Sequence, residues 1–205
     1  MKKYIAVFCG SAKGSDPIYQ EAARRVGKLL VEHGYGIVYG GGNTGLMSAV
    51  ADGAKEAAER LQIDDVIIGV ITTEIKELGS VDLSVKLIEE KSYLNRKARM
   101  AALSIGFIAL PGGLGTLDEW IEMAINNQFA SYENSPENPV KPLCLLNVNG
   151  FYDGLLKQLE TCTLCKFLPD KQNDMIFHSD NIEAIISYLN EYKGRLPDST
   201  RWWEE

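Results

Sequence analysis

Short apolar runs and longer segments with apolar residues at helical spacing alternate along the chain. Runs rich in Val and Ile are typical of strands that are covered on both faces. The longer segments place apolar residues three and four positions apart, as amphipathic helices do. The pattern predicts strands in residues 4–10, 65–72, 85–90, 106–113, 143–148 and 175–178, and a strand with its turn in residues 36–42. It predicts helices in residues 18–34, 45–60, 92–104, 116–129, 151–165 and 181–192.

Several boundary residues support the helix predictions. Asp16 and Pro17 suit the N-cap and the first position of the first helix, and Gly34 suits its end. Ser92 is a candidate N-cap for the helix that follows it. Residues 73–84 are polar and fit either a loop or a short helix.

Strands that alternate with helices indicate right-handed βαβ crossovers and a parallel sheet with helices on both faces. We therefore predict an α/β fold, a doubly wound Rossmann-like domain that spans residues 1–205 as a single unit. No repeat, low-complexity segment or linker divides the sequence. Ligands of such sheets bind beyond the carboxyl ends of the strands, where both glycine-rich turns of this chain fall.

The composition is that of a globular protein with a sizeable core, since 45% of the residues are hydrophobic and 24% are charged. The net charge of −7 gives no overall attraction to nucleic acid or to anionic lipid. No apolar stretch approaches the roughly 18 residues of a membrane span. The apolar run after Lys2 and Lys3 is shorter than a typical signal-peptide core. We expect a cytoplasmic protein with no membrane and no nucleic-acid partner.

The four cysteines do not form a recognisable metal or redox motif. Cys9 and Cys144 fall in predicted strands. Cys162 and Cys165 form one C-x-x-C, without the second ligand pair of a zinc site or the setting of a thioredoxin-like site. The two histidines are far apart in sequence. We expect structural roles for these residues and no bound metal.

A first glycine-rich turn, with glycines at 40, 41, 42 and 45, separates the second predicted strand from an alanine-rich helix. Glycines let the backbone approach a ligand, and a helix N-terminus offers free N–H groups to a phosphate. The turn matches G-x-G-x-x-G, but the acids about 20 positions on, Asp64 and Asp65, precede the next strand, which disfavours a dinucleotide site. A tight turn with close helix–strand packing is the alternative.

A second turn, PGGLGT at residues 111–116, repeats this device after the predicted strand 106–113. Thr116 offers a hydroxyl at the predicted start of the next helix. A plain turn is again the alternative. Two such turns on the same edge of one sheet fit a bound phosphate better than two unrelated turns.

Charged residues lie on both sides of the second turn. Glu119 follows Thr116 by three positions, so it is either half of a capping box or a carboxylate free for chemistry. Asp118 suits the positive end of the helix dipole, and Glu122 shares the helix face of Glu119. The upstream helix carries a basic cluster that is either a solvated face or a site for phosphate or carboxylate, and its members are Arg96, Lys97 and Arg99.

Three stretches together point to a known family. YGGGNTGLMSAVADGA, NRKARM and LPGGLGTLDEW resemble the LOG ("lonely guy") family of cytokinin riboside 5′-monophosphate phosphoribohydrolases, long labelled lysine decarboxylases. VFCGSAKGSDPIYQEAARRVGKLL and KPLCLLNVNGFYDGLL extend the resemblance over residues 4–156. R-K-x-x-M and P-G-G-x-G-T-x-x-E in one chain are far more specific than either glycine turn.

The resemblance implies a usually dimeric enzyme that splits an N6-substituted adenosine monophosphate into free base and ribose 5-phosphate, without cofactor or metal. By position in the motifs, Arg96 and Glu119 are the expected catalytic residues. Met47 and Met100 match the family pattern but suit the core equally well. The expected substrate-binding residues are Ser11, Gly41, Gly42, Gly45, Met47, Lys97, Met100, Gly112, Gly113, Gly115, Thr116 and Glu122.

The chain departs from the family pattern at three places. Ser48 replaces the glycine of GLMG, and Ile105 and Gly106 replace two residues of SDAF. The loop 131–140 is longer and richer in proline than expected, because the segment 130–142 holds three of the seven prolines. The preference for one base over another is therefore left open.

Other functions remain as alternatives. A general AMP nucleosidase would use the same residues. A non-catalytic nucleotide carrier would keep the glycine turns but would not require Arg96 and Glu119 together. A decarboxylase would need pyridoxal phosphate on a lysine, and no lysine is marked for that role. Trp202 and Trp203 fit either a partner contact or a frayed tail.

Overall fold

The computed structural model describes residues 2–133, 138–169 and 175–194. The strands within these ranges are β1 (Lys3–Phe8), β2 (Tyr35–Tyr39), β3 (Ile67–Thr72), β4 (Lys86–Glu90), β5 (Gly106–Ala109), β6 (Leu143–Leu146) and β7 (Ile176–Ser179). The helices are α1 (Pro17–Glu32), α2 (Gly45–Leu61), α3 (Thr73–Glu77), α4 (Tyr93–Leu103), α5 (Leu114–Glu133), α6 (Asp153–Leu164) and α7 (Ile182–Glu191). A 3₁₀ turn, Val148–Gly150, precedes α6.

The strands form one parallel sheet, and in the described part of the chain its order is β4-β3-β2-β1-β5-β6-β7. Ile5 of β1 pairs with Ile37 of β2 on one side and with Gly106 of β5 on the other. The chain moves outward from β1 to β4 and then crosses to β5. The strand order therefore reverses at β1, and ligands of open α/β sheets bind at such a point.

Side chains of β1 alternate between two separate cores. Ile5 and Val7 pack in the layer that contains α1, α2 and α7, whereas Ala6 and Phe8 pack in the layer of α4, α5 and α6. This alternation is the two-residue period of a strand covered on both faces. The predicted doubly wound fold is confirmed.

The predicted boundaries of α1 and α4 are confirmed. The Asp16 carboxylate accepts a hydrogen bond from the Ile18 N–H at 2.9 Å, and Pro17 is the first helical residue. Gly34 follows the end of α1 with a φ of +84°, which glycine adopts readily. The Ser92 hydroxyl accepts from the Asn95 N–H at 3.1 Å. The ambiguous segment 73–84 begins with the short helix α3.

The prediction was wrong about both ends of α5. The helix begins at Leu114, before Thr116, because the Gly113 carbonyl already accepts the Leu117 N–H at 3.1 Å. It continues to Glu133, past the predicted end at residue 129, since no glycine or proline interrupts it there. Part of the loop 131–140, and Trp202 and Trp203, lie outside the described residues.

Helices α1 and α2 pack with their backbones almost in contact. A Cβ atom placed on Gly27 would lie 1.9 Å from the Val50 carbonyl oxygen. A Cβ atom on Gly53 would lie 1.9 Å from the Arg24 carbonyl oxygen. The contact is reciprocal, so each helix uses one glycine to admit the other, and this holds α2 and the glycine turn before it against the sheet.

Candidate active site

Three loops meet at the carboxyl ends of β1, β2 and β5. The Leu46 N–H, at the start of α2, donates to the Gly10 carbonyl at 3.0 Å. The Gly10 N–H donates in turn to the Pro111 carbonyl at 3.0 Å. The Thr44 hydroxyl donates to the carbonyl of Ser11, a predicted site residue, at 3.1 Å. The loop after β1 thus joins the two glycine turns. This agrees with the prediction that both turns lie on the same edge of the sheet.

The basic helix α4 and the acidic start of α5 meet at one buried ion pair. The Arg96 Nη1 donates to Glu119 Oε1 at 2.7 Å, and the Arg96 Nε donates to the Val70 carbonyl at 2.8 Å. Only 9% of the Arg96 side chain and 13% of the Glu119 side chain are exposed. The reading of Arg96 as part of a solvated face is wrong. The capping-box reading is wrong too, because Thr116 lies inside α5 and Glu119 faces Arg96.

The surroundings of Glu119 disfavour the ionised form of its carboxyl group. Burial raises the pKa of the Glu119 carboxyl, and the charge and hydrogen bond of Arg96 oppose that rise without cancelling it. Cys9, at the end of β1, is buried nearby, and burial together with the charge of Glu119 raises the pKa of its thiol. Glu119 is therefore a carboxylate with one strong partner in surroundings of low polarity.

At the glycines of the first turn, other protein atoms occupy the space that a side chain would need. A Cβ atom on Gly40 would lie 2.7 Å from Arg96 Nη2 and 2.9 Å from Met47 Sδ. A Cβ atom on Gly42 would lie 2.3 Å from Met47 Cε. The absence of side chains at these positions makes room for the Arg96 guanidinium and for Met47, so the first turn forms the seat of the arginine.

The remaining glycines of the first turn are equally enclosed. Gly41 is buried, and a Cβ atom on it would lie 2.5 Å from Ile71 Cγ2. A Cβ atom on Gly45 would lie 2.3 Å from the carbonyl carbon of Ser11. The packing role, which was the alternative for this turn, is thus present in the structure.

The second turn is different because part of it faces open space. A Cβ atom on Gly113 or Gly115 would meet nothing within 4 Å, and Leu114 between them is 86% exposed. Gly112, by contrast, lies against the Thr116 hydroxyl, which a Cβ atom would approach to 2.1 Å. The first N–H groups of an α-helix have no intrahelical acceptor. The start of α5 therefore presents N–H donors beside an unfilled space, which suits an anion.

Comparison with known proteins shows the family to which the chain belongs. A family model described as "Possible lysine decarboxylase" matches residues 47–189. The cytokinin riboside 5′-monophosphate phosphoribohydrolase LOG of Oryza sativa subsp. japonica is 35% identical over 92% of this chain and 73% of its own length. A protein of Arabidopsis thaliana with the same activity in its name is 34% identical over 99% of this chain and 89% of its own length. The chain belongs to the LOG family.

Solved structures confirm the fold of this LOG family chain. The molybdenum cofactor binding protein of Rippkaea orientalis has a TM-score of 0.65 and 26% identity, covering 93% of this chain and 96% of the other. The Moco carrier protein of Chlamydomonas reinhardtii has a TM-score of 0.64 at 19% identity, covering 93% of this chain and 97% of the other. The same architecture therefore occurs in proteins named as phosphoribohydrolases and in proteins named as carriers.

Beside the buried pair, a second set of charges links α4 to α5 in this LOG family chain. The Lys97 ammonium donates to Asp118 Oδ2 at 2.9 Å and also pairs with Glu122. Burial alone would lower the pKa of Lys97, but its hydrogen bonds to Glu122 and Asp118 outweigh burial and raise it. An ammonium held charged in this way is poorly suited to Schiff-base chemistry, which needs a neutral amine.

Two more predicted residues differ in their placement. Met47 is half-buried against the first turn, beside Arg96. Met100 is fully buried in the core with Trp120 and Met123. Of the two alternatives for Met100, the structure supports the core role, because no atom of this side chain reaches the surface of the site.

Sequence reasoning missed Tyr152 as a support of the second turn. Its hydroxyl donates to the Leu110 carbonyl at 2.6 Å, and its N–H donates to the Asn147 side-chain carbonyl at 2.7 Å. The side chain is almost fully buried. Tyr152 falls inside the helix predicted over residues 151–165, and local spacing does not show a bond across 42 residues.

The described part of the chain shows neither a metal-binding cluster nor a membrane-spanning helix. In residues 2–133, 138–169 and 175–194, no group of three or more His, Cys, Asp or Glu side chains is arranged to hold a metal ion. Across the same ranges, no helix has the length and apolar character needed to cross a membrane.

Proposed function

We propose that the chain hydrolyses the N-glycosidic bond of N6-substituted adenosine 5′-monophosphates and releases the free base and ribose 5-phosphate. The observation that carries this proposal is the buried Arg96–Glu119 pair beside the open N-terminus of α5. The names of the LOG relatives give the reaction and the substrate class.

The 5′-phosphate is best accommodated by the second turn. Gly113 and Gly115 leave the space for it, and the N–H groups at the start of α5 supply donors and a partial positive charge. The helix rises about 1.5 Å per residue, so Glu119 lies roughly 7.5 Å along the axis from Leu114. A ribose bound by its phosphate at the helix start can therefore place C1′ near the Glu119 carboxylate.

Glu119 acts on the sugar carbon and on the water. Breaking the C1′–N9 bond sends its electron pair to the base and builds positive charge on the ribose, which a nearby carboxylate stabilises. Glu119 also takes one proton from the water that adds to C1′. The water oxygen ends on C1 of ribose 5-phosphate. The departing base takes a proton from the solvent at nitrogen and Glu119 returns its proton to the solvent, so atoms and charge balance.

Arg96 orients this carboxylate. A guanidinium keeps its protons at ordinary pH, so it cannot act as the proton donor. Its Nη1 instead fixes Glu119, while Nε is held by the Val70 carbonyl and Nη2 lies against Gly40. When substrate binds, the same fork can donate hydrogen bonds to the sugar or the leaving base. The binding energy of the remote phosphate aligns the sugar between these groups.

A carrier function is the second candidate, because solved structures of the same fold are named as molybdenum cofactor binding and carrier proteins. Binding alone needs the open anion cradle, which is the space at Gly113 and Gly115 beside the start of α5. It does not need a buried carboxylate paired with an arginine. The Arg96–Glu119 pair therefore favours the hydrolase. AMP itself is an alternative substrate, since the departures at Ser48 and at Ile105 leave the base preference open.

We also propose that the chain forms a homodimer through α5 and works in the cytoplasm. Ile121, Ile125 and Phe129 recur every four residues on α5 and are 43%, 45% and 59% exposed. An exposed apolar stripe of this kind is typical of a subunit interface. The same helix carries Glu119, on a different face from the stripe.

The experiment is an end-point separation of products. The protein is incubated in separate tubes with isopentenyladenosine monophosphate, AMP and GMP. The proposal expects base release from the isopentenyl substrate well above that from AMP. Equal rates with AMP would assign a general nucleosidase. Binding of nucleotide by the folded protein without any base release would favour the carrier.

A further inference from the structure

A short segment lies across the first glycine turn. Residues 79–84, here called the strap, connect α3 to β4. The Asp82 N–H donates to the Gly41 carbonyl at 2.9 Å, and the Asn43 N–H donates to the Ser80 carbonyl at 3.1 Å. Gly42 and Val81 form an antiparallel bridge between these two bonds. The strap and the turn are thus paired residue by residue, although they are far apart in sequence.

Asp82 anchors the strap to the body of the protein. Its Oδ2 accepts from the Lys55 ammonium at 2.7 Å and from the Tyr39 hydroxyl at 3.4 Å. Its Oδ1 accepts from the Ser84 N–H at 3.0 Å and from the Ser84 hydroxyl at 2.5 Å. One carboxylate therefore joins the strap to β2 and to α2.

The Asp82 side chain is shielded although the strap residue that follows it is open. Only 11% of the Asp82 side chain is exposed, whereas the adjacent Leu83 is 83% exposed. Burial would raise the pKa of Asp82, but the hydrogen bonds from Lys55 and Ser84 outweigh it and lower the pKa. A buried, charged and fully bonded carboxylate fixes a loop more firmly than backbone bonds alone, because leaving its partners unpaired is costly.

The strap leads through the first turn to Arg96. The Asp82 N–H holds Gly41, and the preceding Gly40 lies directly against Arg96 Nη2. Movement of Gly40 would therefore change the space in which the guanidinium sits. Because Arg96 in turn fixes Glu119, the effect would reach the carboxylate that acts on C1′. The open anion cradle belongs to the second turn and is not part of this chain of contacts.

We propose that Asp82 is a positioning residue for the hydrolysis, acting through the strap and Gly40 on the Arg96 guanidinium. The inference rests on the proposed function for its kinetic consequence. It assigns Asp82 to the alignment of Arg96 and Glu119 and leaves phosphate binding to the start of α5. Loss of the anchor should therefore lower kcat and leave KM nearly unchanged, whereas a merely structural role would lower only the melting temperature.

Asp82→Asn removes the charge and keeps the shape of the side chain. We expect kcat with isopentenyladenosine monophosphate to fall about tenfold, since small misplacements of catalytic groups have effects of this order or larger, and KM to change less than twofold. Glu89→Gln is the matched control, because Glu89 pairs with Lys76 and Thr73 on the exposed side of β4 and does not touch the turn. Its kcat should equal that of the unmodified protein.

Lys55→Met removes the partner from α2 and provides a second variant. The double variant Asp82→Asn with Lys55→Met should lose no more kcat than Asp82→Asn alone, because both changes break the same bond. If the kcat losses of the two single variants multiply in the double variant, the two residues act separately, which would contradict the proposal.

Hydrogen exchange gives a readout that does not depend on turnover. The amides of residues 40–47 and 93–100 should exchange faster in Asp82→Asn and at an unchanged rate in Glu89→Gln. Unchanged exchange in Asp82→Asn would overturn the inference whatever the kinetics. If the amides of Asp82→Asn exchange faster but the unmodified protein hydrolyses no nucleotide, the strap still positions Arg96. In that case the proposed function is rejected.

Discussion

The Arg96 guanidinium and the Glu119 carboxylate form a buried ion pair, with Nη1 and Oε1 2.7 Å apart. The two residues lie on helices α4 and α5, and the arginine also contacts the Val70 carbonyl of β3 and the space at Gly40 after β2. Neither side chain is free to relax into solvent, so their relative position is fixed before substrate arrives. This preorganisation is what the proposed hydrolysis requires of the carboxylate.

Glu119→Gln should lower kcat by about 10² to 10⁴-fold, the range typical of a lost general base. The amide keeps the shape of the side chain but can neither take a proton nor stabilise positive charge on the sugar. Affinity for the nucleotide, measured by calorimetry, should change little because the phosphate binds elsewhere. Glu160→Gln on the exposed face of α6 is the control. A kcat within threefold of the unmodified value would contradict the assignment of Glu119.

The pH dependence of kcat/KM should have an acid limb set by Glu119. The reaction needs the ionised carboxylate, so activity appears as the pH rises through its pKa. Because burial raises that pKa, the midpoint should lie above about 4.3, the value of an unperturbed glutamate. Arg96→Gln should move the midpoint of the residual activity higher still, since the arginine charge opposes the shift. A midpoint below the unperturbed value would refute this account.

Gly115→Ala should weaken substrate binding without weakening the fold. The added methyl group meets no protein atom, but it enters the space proposed for the phosphate. Losing hydrogen bonds to a charged group costs about 1.5–3 kcal/mol, so KM should rise roughly tenfold to a hundredfold. Gly154→Ala, on α6 with equally open surroundings, is the control and should leave KM unchanged. Equal KM values for the two variants would place the phosphate elsewhere.

Gly27→Ala should destabilise the protein by about 2 kcal/mol or more, because overpacking a close contact typically costs 1–3 kcal/mol. The new methyl group would overlap the Val50 carbonyl oxygen. Urea unfolding monitored by circular dichroism gives the free energy of unfolding. Gly154→Ala should instead leave that energy unchanged or raise it by up to about 1 kcal/mol, since alanine favours the helix. A Gly27→Ala protein as stable as the parent would show that α1 and α2 pack less closely than described.

The homodimer proposal predicts that a charged substitution on the exposed face of α5 yields a monomer. Ile125→Glu places a charge in the apolar stripe and should yield a monomer by light scattering, while the unmodified chain gives a dimer. Phe167→Glu is the control, because it removes an apolar group that is even more exposed, 74% against 45% for Ile125, from the segment after α6. A monomeric unmodified chain, or a dimeric Ile125→Glu variant, would contradict the proposed interface.

The order of elements was predictable because apolar runs and helical periodicity depend only on local sequence. The start of α5 was not, because the T-x-x-E spacing of Thr116 and Glu119 imitates a capping box. A local pattern cannot show that Glu119 is instead engaged by an arginine 23 residues earlier. The resemblance to a family favoured the catalytic role of Glu119 where spacing alone left both roles open.

The site shows the same limit at the level of single side chains. Arg96 and Arg99 lie on one helix, yet Arg96 is buried and Arg99 is half-exposed in a pair with Glu90. Glycine spacing located both turns but could not distinguish the turn filled by Arg96 and Met47 from the turn that is open. The anchor Asp82 gave no sequence signal, because two of its partners, Tyr39 and Lys55, come from β2 and α2.

The most direct measurement of the central claim is the identity of both products from one nucleotide. Isopentenyladenosine monophosphate is incubated with the protein, and base, nucleoside, sugar phosphate and inorganic phosphate are quantified by mass spectrometry and chromatography. The account predicts free isopentenyladenine and ribose 5-phosphate in equal amounts, with neither product formed by Glu119→Gln. Nucleoside with inorganic phosphate, or intact nucleotide bound to folded protein, would contradict it.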